Sequence, residues 1–530
     1  AYGYPAHERS AEAGYAAVFA HRERLQRVDE TVHAAELRET VDSSLRFAGT
    51  FPDHEQAATV LGAATDDLYA MQAFAEAIAA GSMLIDQHPD AEANLRRRAW
   101  AVVSHSHFEL AEFDRAEAGY LQVLAFSDDE SEDRQDIVEN LAAAIYQQGE
   151  LARAAGDQAA AAEHFLRVKT LAPTSSARPA AEYDAAVALV ALQQWGRAAE
   201  VLTDFRDEHV DHELQAEVTK QLAYVYREAG ALGASGDEYR RIAGATDDPQ
   251  QRRESLLLSA DLYKKAGRVA DAIAVYREFV GEFPAPVEAN VEIRHRLAEL
   301  LRPDDDAGYR EELSAIVEVD ARAGHERTDR TRFLAANAAL ILAEPAVEQF
   351  SSMDLIQPFA ESLAEKQERM NVALQAVENL VAYEVAAVTS AATFYMAEIY
   401  RNFSQSLLDS ERPSAMSGSE LVDYELALED EAYPFEERAI EIHQANMELM
   451  ASGTHNRWLE KSLAELRLLL PARYDKRVVS AGYVGSIDSY AYRSPLADQL
   501  IADSQAVNEP AAAPSQPDGK GASMEVSGAY

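Results

Sequence analysis

In residues 253–284, RESLLLSADLYKKAGRVADAIAVYREFVGEFP, apolar residues return every three or four places. That spacing puts Leu256, Ala260 and Tyr263 on one face of a helix, and Ala272, Tyr276 and Phe279 on one face of a second. The polar stretch Lys265-Ala266-Gly267-Arg268 joins them, and Pro284 ends the pair because it lacks an N–H and clashes with the preceding turn. Small residues at Ala260 and Ala272 let the backbones approach, and Tyr276 and Phe279 fill the space to a neighbour. A hairpin this short cannot bury its apolar stripe alone, so the pattern must repeat. It does: steps of 37 residues back from Pro284 reach Asp247, Val210 and Pro173. Gly149, Gly156, Ala161, Phe165 and Val168 precede Pro173 in register. Ala198, Leu202 and Phe205 follow Trp195-Gly196. The unit before Asp247 is poorer, with Ser235 in the small slot and Tyr239 and Ile242 behind it. Further upstream, Pro52 and Pro89 close two more units, and Trp100, Ala116 and Tyr120 mark another. In the unit before Pro89, Gly81 takes the place of an aromatic.

The small–aromatic–small pattern with its closing proline resembles the tetratricopeptide repeat (TPR). The resemblance implies an all-α solenoid of stacked helical hairpins, with protein partners held on the concave face lined by the first helix of each pair. About seven pairs are expected in residues 1–330, on helices slightly longer than the family's usual period of about 34 residues. The opening AYGYPAHERSAEAGYAAVFAHRERL reads as the end of a second helix at Tyr4-Pro5 followed by a first helix over 6–25. More repeats and an export signal are therefore expected before Ala1.

From about residue 331 the register is lost and longer helices are expected: 354–391, 392–408, 419–451 and 455–470. Breaks fall at Arg412-Pro413 and Leu470-Pro471, and Tyr433-Pro434-Phe435-Glu436-Glu437 reads as a helix start, with Pro434 in the first turn. Residues 478–530 form a Ser/Gly/Ala/Pro/Tyr-rich tail in which Tyr483, Tyr490 and Tyr492 are set to pack on the body or on a partner. Ala397–Tyr400, Leu408–Pro413, Tyr433–Ile440, His443, Asn446, Trp458 and Pro471–Tyr474 together resemble the C-terminal block of large exported proteobacterial TPR proteins. Those are similar to gliding-motility components and travel with TonB- or Tol-type partners. That resemblance implies scaffolding at the periplasm or outer membrane rather than a reaction.

Composition narrows the partners. The formal net charge is -43, which opposes binding to a nucleic-acid backbone or to anionic lipid. Lysines are scarce (169, 220, 264, 265, 366, 461, 476 and 520), so arginine supplies most cations. Such a surface suits a salt-adapted source or an extracytoplasmic compartment; an ordinary acidic protein of a GC-rich genome, cytoplasmic in location, gives the same balance. There is no cysteine, hence no disulfide and no thiolate metal site. No apolar run approaches the roughly 18 residues that span a bilayer.

Catalytic signatures are missing: no GxGxxG, GxxxxGK[ST], HExxH or GxSxG. His105 and His107 point about 200° apart on a helix. His209 and His212, with Asp207 and Asp211, share the spacing of one helix face, yet they fall where a solvated inter-repeat loop is expected. SDDESED at 127–133 lacks the alternation of a calcium loop. No catalytic, metal or cofactor-binding residue is assigned. Candidate partner-binding residues on the first-helix face are Arg98, Gln147, Gln221, Tyr224, Arg253 and Lys264. The expected function is a non-catalytic scaffold for protein partners in a cell-envelope complex. Alternatives are a solute- or glycan-binding module, or an enzyme, in 331–477, and a structural subunit that self-assembles end to end.

Overall fold

The computed structural model describes residues 2, 7–127, 133–414, 416–451 and 453–475. Tyr4-Pro5, most of the 127–133 acidic run and the tyrosine-bearing tail lie outside these residues. The chain divides into two compact units, Ala1–Gln349 with Gln375–Thr389, and Phe350–Leu374 with the residues from Ser390 onward.

The first unit holds eight hairpins where about seven were expected. They are α1 (Ser10–Leu25) with α2 (Glu30–Thr50), α3 (Ala57–Ala70) with α4 (Phe74–Gln87), α5 (Ala93–Glu109) with α6 (Phe113–Ala125), and α7 (Arg134–Ala154) with α8 (Gln158–Leu171). Then follow α9 (Arg178–Ala191) with α10 (Trp195–Glu208), α11 (Gln215–Glu228) with α12 (Leu232–Ala245), α13 (Pro249–Lys265) with α14 (Val269–Glu282), and α15 (Val287–Leu301) with α16 (Asp306–Arg322). Each helix packs on its predecessor and its successor along this series. Pro52, Pro89, Pro173 and Pro284 all sit just beyond the second helix of a hairpin. The period is uneven, because first helices start at Ala57, Ala93, Arg134, Arg178, Gln215, Pro249 and Val287.

One turn is used six times. Gln72, Ala111, Gly156, Gln193, Gly230 and Gly267 have φ of 59, 58, 81, 57, 76 and 75°. After each, the next N–H reaches back five residues to a carbonyl, as Arg268 N does to Tyr263 O at 2.9 Å. This left-handed cap satisfies the orphan carbonyls of the first helix and reverses the chain in three residues. Glycine adopts the conformation without penalty, whereas Gln72, Ala111 and Gln193 carry the steric cost of a Cβ there.

Between hairpins the core alternates small and large. Ala161, Phe165 and Val168 of α8 are fully buried with Leu141 and Ile145 of α7 and Ala181 and Ala185 of α9. Tyr276 and Phe279 join Ala260 and Leu297 in the same way. At Gly81 a Cβ would come within 2.5 Å of Val103 Cγ2. The neighbouring hairpin's valine fills the space that an aromatic occupies elsewhere. The poor unit before Asp247 is built differently from its expected register. Tyr239 and Ile242 are only half-buried, whereas Ser235 and Glu238 are buried. The Ser235 hydroxyl donates to Ala223 O at 2.7 Å, and Arg206 donates to both Glu238 oxygens at 2.8 and 2.9 Å.

Beyond the hairpins run α17 (Asp329–Ser351), α18 (Phe359–Val381), α19 (Ala386–Leu408), α20 (Gly418–Ala451), α21 (Arg457–Leu469) and α22 (Pro471–Tyr474). The helix expected over 354–391 is broken at Glu384, whose φ of 54° cannot continue a right-handed helix. Pro434 does not open a helix but lies inside α20. Leu428 and Ala432 before it and Ala439 after it form one buried stripe, which carries the helix through. The carbonyl that Pro434 strands belongs to the exposed residue Asp430.

Candidate partner-binding face

Counting back three, six and ten residues from each left-handed turn marks one stripe along the first helices. It reads Tyr69, Asp66 and Gly62 on α3, then Phe108, His105 and Ala101 on α5. Next come Arg153, Glu150 and Tyr146 on α7, and Val190, Val187 and Tyr183 on α9. Arg227, Tyr224 and Lys220 on α11, and Lys264, Asp261 and Leu257 on α13, complete it. Apart from Gly62 these side chains are half-buried or exposed.

Neighbouring first helices are tied across this stripe. Asp66 pairs with Arg98, and the Tyr69 and His105 rings lie 6.0 Å apart. Arg153 donates to Asp184 at 3.1 Å, and the Tyr146 hydroxyl donates to the same carboxylate. From the second helix α10, Trp195 also meets Tyr224 edge-on at 6.0 Å. Asp261 lies 3.6 Å from Arg296, and Glu292 lies 2.9 Å from Arg330. The last of these lines a cleft of about 1030 Å³ with Val287, Arg296 and Thr328. Burial pushes the Asp66 carboxyl above its ordinary value, which Arg98 only partly offsets. Burial, then the hydrogen bond to Asp261, pushes the Tyr276 phenol up to about 12.

Arg98, Tyr224 and Lys264 face the stripe, and Tyr224 is 38% exposed. Gln147 and Gln221 sit at its edge; Gln221 hydrogen-bonds Tyr183. Arg253 is committed to its own hairpin: its guanidinium lies 4.9 Å from the Phe283 ring centroid and donates to Ala285 O at 2.9 Å. The structure also places Val187, Val190 and Tyr183 on this stripe, in a phase that only the left-handed turn at Gln193 fixes.

Buried carboxylates at the seams escaped sequence reasoning altogether. Glu36, Glu117, Glu182, Glu238 and Glu312 are each 9% exposed or less, and each is paired with an arginine. In a chain this acidic nothing distinguishes them from surface glutamates. At one seam the ligand atoms of Glu182, Glu208 and His209 lie within 4.8 Å of one another. Arg178 already bridges both carboxylates, so their charge is met without an ion. The segment around His209 is no solvated loop: His209 and His212 both pack on Phe205, their rings 6.3 Å apart, and His209 Nε2 meets Glu182 at 3.1 Å.

The second unit holds a different chemistry. His443 Nδ1 lies 3.2 Å from Ser462 Oγ, and its Nε2 lies 3.4 Å from Glu398 Oε1. Serine, histidine and carboxylate follow the order of a nucleophile relay. Yet Ser462 and His443 are both at 0% exposure, and the Ser462 oxygen accepts from Asn446 Nδ2 at 2.8 Å. No substrate reaches it; the trio ties α19, α20 and α21 together. Burial pushes the Glu398 carboxyl up, but bonds from His443 and Arg401 outweigh this and hold it below its usual value. Lys366 is likewise at 0% exposure; it donates to Met353 O at 2.6 Å and Asn402 Oδ1 at 3.0 Å, over the Phe350 ring. Burial lowers its pKa.

Residues 143–175 and 254–285 match the family model of the tetratricopeptide repeat. These two stretches are tetratricopeptide repeats. They correspond to α7–α8 and α13–α14, and the left-handed turn and buried small–large alternation extend the same hairpin to its neighbours. The fold is an all-α solenoid of TPR type. No curated protein matches the chain. Among solved structures it is similar to Naa15/Naa10 bound to HypK-THB, at 14% identity over 89% of this chain and 69% of that one, with a TM-score of 0.28. A tetratricopeptide repeat protein from Parabacteroides merdae is similar at 12% identity over 54% and 97% of the two chains, TM-score 0.21. PilW, a widely conserved type IV pilus biogenesis factor, is similar at 18% identity over 44% and 96%, TM-score 0.20. No helix among the described residues is long and apolar enough to cross a membrane.

Proposed function

We propose that the protein is a non-catalytic scaffold of a cell-envelope complex that holds a segment of a partner protein along its first-helix stripe. TPR folds are typically non-catalytic and mediate protein–protein contacts. The observation that supports the reading is the middle of the stripe. There α9 presents Tyr183, Val187 and Val190, the neighbouring Asp184 being already held by Arg153 and Tyr146, and α11 adds Tyr224 braced by Trp195. Rigid aromatics beside exposed aliphatics, rimmed by Glu217, Lys220 and Arg227, suit the apolar anchor of a partner segment. Placement outside the cytoplasm rests on the acidic, lysine-poor surface and the character of the C-terminal block.

The test is affinity capture from fractionated envelope with the intact chain and with Val187→Glu and Tyr224→Ala. A specific partner whose recovery falls at least about ten-fold in both variants, with far-UV spectra unchanged, supports the stripe. Recovery that ignores both substitutions overturns it. Fractionation that finds the native protein wholly cytoplasmic removes the envelope part.

A further inference from the structure

The first hairpin closes without the left-handed turn that the next six share. Gln26, which caps α1, has a φ of -72°, and no residue from 26 to 29 has a positive φ. Side chains tie the two helices near that corner instead. His21 Nδ1 of α1 lies 3.3 Å from Glu36 Oε1 of α2. Glu39 follows Glu36 by three residues, on the same face of α2. One ligand atom each from His21, Glu36 and Glu39 lie within 4.8 Å of one another. Glu36 is 4% exposed, His21 is half-buried and Glu39 is exposed, so the group is anchored in the seam and open to solvent on one side.

Two carboxylates side by side repel unless a cation lies between them. At the other seam where two glutamates and a histidine converge, Arg178 supplies that cation by pairing with both Glu182 and Glu208. At the first hairpin no arginine or lysine among the described residues spans the pair. Arg24 reaches only Glu36 Oε2, at 3.0 Å, and Arg38 is turned to Asp42 and Glu76. Glu39 has no cationic partner among the described residues. The donor set selects the ion that fits. One imidazole nitrogen with two carboxylates suits a first-row divalent cation, whereas calcium and magnesium take oxygen. Adjacent ligands of a tetrahedral zinc ion stand about 3.3 Å apart, and His21 and Glu36 already have that spacing. Glu39, being exposed, is free to turn inward and close the set. Arg24, on the outer oxygen of Glu36, orients that ligand from behind. From these observations we infer that His21, Glu36 and Glu39 bind a divalent cation of the zinc class, which staples α1 to α2 where the shared turn is missing.

No cysteine competes for the metal. By calorimetry the tag-free full chain should take up about one equivalent of Zn2+ in excess Mg2+, which fills all-carboxylate sites but does not seek imidazole. His21→Ala and Glu39→Gln should each weaken that binding at least about ten-fold, while Glu208→Gln at the other seam leaves it unchanged. Both substituted side chains reach solvent, so far-UV spectra should match the parent. No saturable binding, or binding that survives both substitutions, overturns the site; loss in Glu208→Gln instead overturns it in favour of the other seam. Hydrogen exchange reads the staple itself. Zn2+ should slow exchange over 10–50 at least about five-fold relative to EDTA-treated protein, and His21→Ala should erase the difference. Equal exchange with and without Zn2+ overturns the proposal.

Discussion

The hairpin array and the second unit bury polar groups in opposite ways. In the array each buried glutamate sits at a seam with an arginine from its own or an adjacent hairpin, as Glu238 does with Arg206. Remaining charges pair near the surface, as Arg98 does with Asp66. In the second unit the network is deep and mostly uncharged: His443, Ser462 and Asn446 are all at 0% exposure, and Lys366 sits among carbonyls without a carboxylate in contact. A stack whose members touch only their neighbours tolerates local variation, because each seam settles its own charges. A deep network couples its members, so a change at one is felt by the others and by the long helices that carry them.

That contrast can be broken most sharply at its largest contacts. Phe165→Ala removes a fully buried ring and should cost about 4 kcal/mol. In a quasi-one-dimensional stack the lost exchange protection should centre on α7–α10 and leave the second unit untouched; loss spread over both units would contradict the division. Lys366→Ala strands the Met353 carbonyl and opens a hole, at a cost of about 3 kcal/mol. Here denaturant unfolding should show the whole second unit weakened together, with Lys366→Met regaining only the packing.

Alkaline pH separates the units with no substitution. Tyr120, Tyr146, Tyr263 and Tyr276 of the array all have raised pKa values, mainly through burial. A raised folded pKa stabilises fully below the unfolded value, about 10, and that contribution is lost as pH climbs toward 12. Lys366 behaves oppositely. Its folded pKa is lowered, so the second unit is relieved as pH rises toward the ordinary lysine value. Exchange between pH 10 and 12, corrected for intrinsic rate, should therefore show the array loosening first.

The smaller effects sharpen the picture. Ala111→Gly should stabilise the array by about 1 kcal/mol, since it removes a Cβ from a left-handed turn; a lower melting temperature would refute the strain. Asp66→Asn should leave stability unchanged or slightly raised, by no more than about 0.5 kcal/mol, because burial disfavours the carboxylate and the exposed Arg98 only partly offsets this; a clear drop in melting temperature would refute it.

The array was legible because hairpin stacking writes its demands into residue size. Prolines at 52, 89, 173 and 284, and the buried Ala161–Phe165 and Ala272–Tyr276 pairs, could be read directly. The count was less so: the first and eighth hairpins lack the shared turn, α15 turning instead through Asp305, which caps Gly308 N. What misled was context that only packing supplies. Glu384 in a left-handed conformation splits a periodic stretch, and the buried flanks of Pro434 override its local habit. His209 looked hydrated because its partner Glu182 is 27 residues away. On the candidate face, Arg98, Tyr224 and Lys264 were reachable from pattern, while Val187 and Val190 needed the turn at Gln193 to fix the phase.

The repeated turn carries a consequence for how such a chain changes over time. Its hydrogen bond runs between main-chain atoms, so it asks for a backbone shape and hardly for a side chain; glycine, glutamine and alanine all serve. A hairpin can then be duplicated or dropped as a block without inventing a new corner. The number of rungs, and with it the span available for gripping another molecule, is free to drift while every rung remains foldable.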